Sequence, residues 1–383
     1  MERGPSSQQI VFQIRPPECR TSRRTPIKVG IANKEKDIHC AYSSGVRVLI
    51  TGHTGFKGSW MSAVLSTLGH EVHGLSHGAL QNSHFDLAEV HRFLASDSRI
   101  DIRDYELLNH GISNVQPDVV VHLAAQALVR ESYRKPYETF DTNVRGTINV
   151  VKACQESQIP KVLVVTSDKV YKESKNIKSF SEEDALGGKD PYSASKAAAD
   201  IASQSLAQLS EVTNVSIARA GNVIGGGDFG QDRLIPDLYR AQISQTAAQI
   251  RYPNAIRPWQ HVLDCLDGYI EIINRTPSRT MSDIWNVGPI EDTQVSVRSI
   301  CVKTSDYFGN STIFTEVMNS NDSLIENQYL QLNSTKIQRE LGWKPRLNTS
   351  LAIEWTLYWY QSLLRGESPS KITFNQIKKY YDL

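Results

Sequence analysis

The sequence predicts a doubly wound α/β fold, a parallel sheet covered by helices on both faces, followed by a smaller C-terminal substrate domain. Three observations carry that expectation. Continuous apolar runs recur at Val48-Leu49-Ile50, Val119-Val120-Val121-His122-Leu123 and Val162-Leu163-Val164-Val165, the pattern of strands buried on both faces. Helix-like stretches alternate with these runs. A glycine-punctuated turn, Thr51-Gly52-His53-Thr54-Gly55-Phe56-Lys57-Gly58, follows the first run directly.

The elements can be justified in order. After the first strand and its turn, a helical pattern spans Trp60 to Leu68, and a second strand spans Glu71 to Leu75. A helix from about Asn143 to Gln155 lies between the two later apolar runs. A longer helix, about Tyr192 to Leu209, carries Ala197, Ala198 and Ala199, small residues that permit close packing. After Val215-Ser216-Ile217-Ala218 the alternation loosens into loops rich in Gly, Pro and Arg. Residues 45–218 are therefore expected to form a dinucleotide-binding domain, with 256–290 as its candidate completion. Residues 219–383 are expected to be mainly a substrate-binding domain. Residues 1–44 lack periodicity; Pro16-Pro17, Arg20, Arg23 and Arg24 are interspersed with Glu2, Glu18 and Glu35. They read as a disordered tail or a translation start placed too early, not as a targeting peptide.

Composition excludes several function classes. Hydrophobic residues make up 40% and charged residues 22%, with a net charge of +1, so bulk charge points to neither nucleic acid nor a membrane surface. Five cysteines are scattered without a C-x-x-C pair or metal-ligand spacing, which suits free thiols in a reducing, cytoplasmic compartment and no bound metal. No apolar run approaches the length of a membrane span.

Two sequence features carry chemistry. In the turn, Gly52, Gly55 and Gly58, with Thr54 and Phe56, are placed to let a pyrophosphate approach a helix N-terminus, although the spacing is G-x-x-G-x-x-G. The second strand ends Gly74-Leu75-Ser76-His77, without the acidic residue that binds the ribose of NAD and without an arginine for a 2′-phosphate. Asp101 and Ile102 can reach an adenine, and Ala124, Ala125 and Gln126 can line the cofactor path; strand-end packing explains both segments equally well. The second feature is Ser167-Asp168-Lys169 at a strand end, followed by Tyr192 and Lys196, one helical turn apart. Lys196 is expected to lower the pKa of the Tyr192 phenol, making it a base near neutrality, with Ser167 orienting the same substrate oxygen.

These residues resemble the extended short-chain dehydrogenase/reductase family, which has a Rossmann fold, and within it the CDP-glucose 4,6-dehydratases. The resemblance covers about 47–343. It rests on the glycine turn, His122-Leu123-Ala124-Ala125-Gln126, Thr166-Ser167-Asp168-Lys169 and Asp190-Pro191-Tyr192-Ser193-Ala194-Ser195-Lys196. Further support comes from Arg219-Ala220-Gly221-Asn222-Val223-Ile224-Gly225-Gly226-Gly227-Asp228, Asp232-Arg233-Leu234-Ile235-Pro236 and Ile256-Arg257-Pro258-Trp259-Gln260-His261-Val262. Related dehydratases carry Asp-Glu where this chain has Asp168-Lys169.

The resemblance implies an enzyme that oxidises a nucleotide-sugar C4 hydroxyl with NAD, eliminates water across C5 and C6, and returns the hydride to C6. Tyr192, Ser167 and Lys196 would serve the oxidation, and Tyr192 and Lys196 would also contact the cofactor. Asp168 would protonate the departing hydroxyl. Lys169 is the candidate C5 base, or a charge that stabilises the enolate. Asn222, Arg233, Leu234, Arg257 and Trp259 would bind the nucleotide sugar, Trp259 as readily by packing a domain wall. A homodimer through the Tyr192 helix and its neighbour is implied. Two alternatives are a nucleotide-sugar 4-epimerase, or a dehydratase for another nucleotide, and a cofactor-bound protein without catalysis. An epimerase has no use for an acid at C6, and a protein without catalysis often lacks residues present here.

Overall fold

The computed structural model describes residues 45–78, 81–173, 178–276, 283–289, 295–317 and 330–383, so the tail expectation for 1–44 lies outside the described residues. The strands are β1 Arg47–Thr51, β2 Glu71–Ser76, β3 Ser96–Arg99, β4 Val119–His122, β5 Lys161–Val165, β6 Asn214–Ala220, β7 Val223–Ile224, β8 Ala248–Ile250, β9 Gln260–His261, β10 Ile284–Val287 and β11 Phe314–Glu316. Seven of them form one sheet in the order β10-β6-β5-β4-β1-β2-β3, and every pairing in it is parallel. β1 lies between β2 and β4, with Val48 opposite Val72 on one side and Val119 on the other. The strand order reverses here, where doubly wound sheets open a crevice at their carboxyl ends.

The unbroken apolar runs follow from burial on both faces. On β1, Val48 and Ile50 join one core and Leu49 the other; on β4, Val119 and Val121 are separated from Val120 in the same way. The first core takes in the helices Phe56–Thr67 and Val262–Asn274 and residues of the two C-terminal helices, Thr349–Leu364 and Pro369–Tyr381. The helix after β1 is buried continuously from Gly58 to Leu65, which explains its apolar residues on all sides. It begins at Phe56, four residues before the sequence pattern became helical, because the glycine turn itself enters the helix.

The C-terminal part contributes to the sheet through β10. Two small parallel pairs, β7 with β9 and β8 with β11, stand apart from it. The described residues all belong to one compact unit.

Candidate active site

At the carboxyl end of β1 the glycine turn is held by close packing. Gly52 has φ +74°, and a Cβ there would stand 2.6 Å from the Ala124 nitrogen, so both conformation and space require glycine. A Cβ on Gly58 would stand 2.2 Å from the Gly52 carbonyl oxygen. Gly55 is exposed and precedes the helix Phe56–Thr67, whose N-terminus has neither a capping side chain nor an acidic residue in its first turn. That end is free for an anion. Thr54 turns inward, sharing a 2.7 Å hydrogen bond with Ser76 at the end of β2. Ser76 thus occupies the place where an acidic residue was sought. Asp97 of β3 is engaged by His53 and Arg99.

The remaining predicted cofactor residues differ in their roles. Ile102 is buried beneath Gly146, and Asp101 pairs with Arg103. Ala124 and Ala125 are half-buried after β4. Gln126 is engaged within the protein: its amide donates to the Leu128 carbonyl and Thr139, and its backbone exchanges hydrogen bonds with Asn143. Asn143 lies in a wide helical turn, Asp141–Arg145, and also donates to Ser195 Oγ at 2.9 Å, joining this loop to the Tyr192 helix. An asparagine inside a helical run was the only signal for it in the sequence.

β5 ends at Val165, and Ser167 caps the short turn Asp168–Val170 by accepting from the Lys169 backbone. Asp168 is 3% exposed. It takes a 3.0 Å hydrogen bond from Ser167 on Oδ1, while Oδ2 is buried without a partner. Burial pushes the carboxyl's pKa up, against the lowering influence of Lys169, Ser167, Arg257 and Lys57. Lys169 is half-buried.

The helix Pro191–Ala207 starts on Asp190, whose carboxylate accepts from the Ser193 backbone, and it presents Tyr192 one turn before Lys196. Ser167 exerts a lowering influence on the pKa of the Tyr192 hydroxyl. The net shift of the phenol is opposite to the one expected from a nearby lysine, because burial dominates it. Burial raises the pKa of Tyr192, against the lowering influence of Ser167 and Arg233. Lys196 instead donates to the Val165 carbonyl at 2.9 Å, and burial, then the charge of Lys57, bring its pKa down to about 7.

Lys57 was given no role from sequence. It is a lysine in the first turn of a helix, where a cation is locally unfavourable. Its amine donates to the Tyr269 hydroxyl at 3.2 Å, and Cys265, Arg233 and Asp168 are its charged or titratable neighbours.

Asn222, with φ +36°, lies in the left-handed region, and its Nδ2 is buried without a partner. Buried orphan donors in strained backbone are characteristic of ligand sites. Arg257 is buried, hydrogen-bonds the Ile256 carbonyl and exerts its charge on Asp168. Arg233 is gripped by Asp228, and Leu234 opens the helix Leu234–Ser244. Trp259 points into the first core and donates its indole N–H to the Val295 carbonyl at 3.2 Å, so packing accounts for it. An open cavity of about 610 Å³ adjoins the Arg233 segment, lined by Arg130, Asp232, Arg240, Gln249 and Arg251 among others.

The glycines 225–227 are packing glycines: added Cβ atoms would strike Val262, Trp359 and His84. His122 is structural as well, bonded to Thr51 and Thr147.

The NAD dependent epimerase/dehydratase family model matches residues 48–288. The chain is 36% identical over 348 residues to the CDP-glucose 4,6-dehydratase of Salmonella typhimurium, covering 88% of this chain and 96% of that protein. It is 25% identical to the UDP-glucose 4-epimerase of Lactobacillus helveticus, over 84% of this chain and 99% of that one. Among solved structures, the dTDP-glucose 4,6-dehydratase DesIV of Streptomyces venezuelae, with NAD bound, superposes with a TM-score of 0.72 at 24% identity, covering 85% of this chain and 99% of that one. The all-parallel sheet, the glycine turn at its switch point and the Tyr192 helix all fall within the matched segment. The chain belongs to the NAD dependent epimerase/dehydratase family.

Proposed function

We propose that the protein is a nucleotide-sugar 4,6-dehydratase whose substrate is CDP-glucose, converted to CDP-4-keto-6-deoxyglucose. The observation that carries this reading is Asp168. It is a buried carboxyl with one unpartnered oxygen, beside Ser167 and sharing the electrostatic environment of Tyr192. Burial favours its protonated form, as required of an acid that must donate to a departing hydroxyl. An epimerase needs no such group.

The glycine turn and open helix end fit the pyrophosphate of NAD, held by Gly52, Thr54, Gly55, Phe56 and Gly58. Ala124, Ala125 and Gln126 are assigned to the cofactor path with Tyr192 and Lys196, and Asp101 and Ile102 to the adenine end. Bound there, NAD would supply a reversible hydride acceptor serving both oxidation at C4 and reduction at C6, so that no net oxidation would result. Tyr192 takes the proton of the C4 hydroxyl, and Ser167 orients that oxygen. The resulting ketone acidifies the C5 proton. Lys169 is assigned its removal while Asp168 gives a proton to the C6 hydroxyl, which leaves as water. A proton returned to C5 completes the balance.

Asn222, Arg233, Leu234 and Arg257 are assigned to the nucleoside diphosphate, with the arginine-lined cavity as its outer continuation and Trp259 as a packed wall. The domain assignment follows: 45–218, completed by 256–290, for the cofactor, and 219–383 mainly for the substrate. A homodimer through the Tyr192 helix and its neighbour is part of the same reading. It is supported by exposed Ile201 and Leu209 at the Tyr192 helix, and by Tyr137 at 89% exposure beside it. Among the described residues no helix is long and apolar enough to cross a membrane, and Cys154, Cys265 and Cys301 are free, in keeping with a cytoplasmic enzyme.

The test is purified protein with CDP-glucose, and UDP-, GDP- and dTDP-glucose in parallel, followed by mass spectrometry with and without added NAD. A water-loss product from CDP-glucose without net NADH is expected. A C4 epimer without water loss would overturn the dehydratase reading, and water loss from another nucleotide alone would overturn the substrate.

A further inference from the structure

The turn Asp168–Val170 is anchored on both sides by one buried network. Just before it, the Thr166 hydroxyl donates to Asp200 Oδ2 at 2.9 Å, and the Thr166 backbone donates to the Ala218 carbonyl of β6 at 2.9 Å. Just after it, the Tyr171 hydroxyl accepts from Arg219 Nη1 at 3.1 Å and donates to Asn286 Oδ1 at 2.6 Å. Arg219 joins the two sides. Its Nε and Nη2 donate to the two carboxylate oxygens of Asp200 at 2.9 and 2.8 Å, and this bidentate pair is 1% and 0% exposed. Nη1 also reaches the Glu182 carbonyl at 3.1 Å. Arg219 of β6 stands opposite Asn286 of β10, whose amide donates to the Phe180 carbonyl at 2.8 Å.

Asp200 belongs to the helix Pro191–Ala207, one turn beyond Lys196 and two beyond Tyr192. Consecutive residues at the end of β5 therefore hold that helix. The Val165 carbonyl takes the Lys196 amine at 2.9 Å, and the Thr166 hydroxyl binds Asp200. A planar guanidinium in bidentate contact has little freedom to rotate, and burial removes the water that would compete for it. Ser167, Asp168 and Lys169 thus sit between two fixed points, and both points are tied to the helix that carries Tyr192.

We propose that Thr166 and Tyr171 are positioning residues, which fasten the Ser167–Lys169 segment to the Arg219–Asp200 pair and so set its groups against Tyr192 and Lys196. The inference rests on the reaction proposed above and adds two residues that act through others. Each anchor serves a different step. Thr166 is joined to Ser167 by a peptide bond, so its hydroxyl governs the C4 oxidation that Ser167 and Tyr192 serve. Tyr171 lies two residues after Lys169, so its hydroxyl governs the elimination assigned to Asp168 and Lys169.

The test uses Thr166→Val, which keeps the shape and loses the hydroxyl, Thr166→Ser, which restores it, and Tyr171→Phe. Single turnovers of CDP-glucose, or of whichever nucleotide-glucose the wild type accepts, are followed by NADH absorbance and mass spectrometry per folded, NAD-loaded enzyme. A group misplaced by about 1 Å costs on the order of 100-fold, so a loosened anchor is expected to cost about tenfold. Thr166→Val should slow NADH formation by that factor with half-saturating substrate within about twofold of wild type, and Thr166→Ser should regain most of the rate. Tyr171→Phe should form NADH at the wild-type rate and slow its disappearance about tenfold, so that a 4-keto hexose accumulates. Without substrate, hydrogen exchange at the Lys169 and Val170 amides, which bond Ser167, should quicken about tenfold in both hydroxyl-less variants while β1 exchanges as in wild type. Variants that unfold at a lower temperature with rates and exchange unchanged would overturn the proposal, as would Thr166→Ser no faster than Thr166→Val. Tyr171→Phe that slows NADH formation as much as its disappearance would overturn the assignment of Tyr171. The Thr166 pair decides alone if Tyr171→Phe does not fold. Wild type that forms NADH transiently and yields a C4 epimer would instead count against the dehydratase reading, leaving the Thr166 comparison intact.

Discussion

Gly221 offers the sharpest test of the role given to Asp168. A Cβ at that position would stand 1.8 Å from Asp168 Oδ2, 2.2 Å from Cγ and 2.8 Å from Cβ. Ordinary contact begins near 3.4 Å, so in Gly221→Ala the carboxyl must retreat by about 1.6 Å, the difference between the two distances, or the β6 end must move. Overpacking of this kind costs about 1–3 kcal/mol of stability. A reacting group displaced by about 1 Å loses on the order of 100-fold in rate, or about 2.7 kcal/mol of barrier. The loss should fall on water elimination. Tyr192 and Ser167 keep their places, so C4 oxidation should persist, and bound NADH with a 4-keto hexose should accumulate in place of the 4-keto-6-deoxy product. The assay is single-turnover product analysis by mass spectrometry with NADH absorbance in parallel, on protein whose thermal unfolding shows it folded. A folded Gly221→Ala that makes 4-keto-6-deoxy sugar within twofold of wild type would refute the assignment of Asp168 as the acid.

Three further outcomes follow from the buried charges. Lys57→Met should raise the pKa of Lys196 above its value of about 7, since the Lys57 charge depresses it after burial has done so; NMR titration of ¹³C-methylated lysines reads this directly, and an unmoved signal would show that the two amines do not sense each other. Asp200→Ala should cost about 3–5 kcal/mol in urea unfolding, because Arg219 and Asp200 are 1% and 0% exposed and the guanidinium would be left buried without its bidentate partner; a loss below about 1 kcal/mol would contradict this. Asp264 is pushed up to about 6, chiefly by burial and with help from Asp267, although Tyr380 and the backbone of Arg346 and Leu347 bond it. The fold therefore holds its proton more tightly than the unfolded chain does. Its contribution is full below about 4 and is lost as pH rises toward about 6. Asp264→Asn should flatten that decline in urea midpoints taken from pH 4 to 7, and parallel wild-type and variant curves would count against it.

The parallel sheet was legible in the sequence because strands buried on both faces must be apolar at every position, and Val119-Val120-Val121 shows that without an alignment. The glycine turn and the Tyr192–Lys196 spacing were legible for a similar reason: each is local, set by a few consecutive residues whose geometry the backbone dictates. Boundaries were less so, since Phe56 enters the helix through a turn that has no periodicity of its own.

What depends on residues distant in the chain needed the tertiary structure. Whether Lys196 reaches the phenol or a strand carbonyl depends on β5 beneath it, and the carbonyl of Val165 holds it. Lys57 acquires a role only because Tyr269, 212 positions away, meets its amine. Gly221 is one glycine among 23 until the fold sets it against the Asp168 carboxyl. Sequence determines which chemistry is available, since residue types and short spacings carry it. The balance among buried charges is decided only when packing removes water and chooses each group's neighbours.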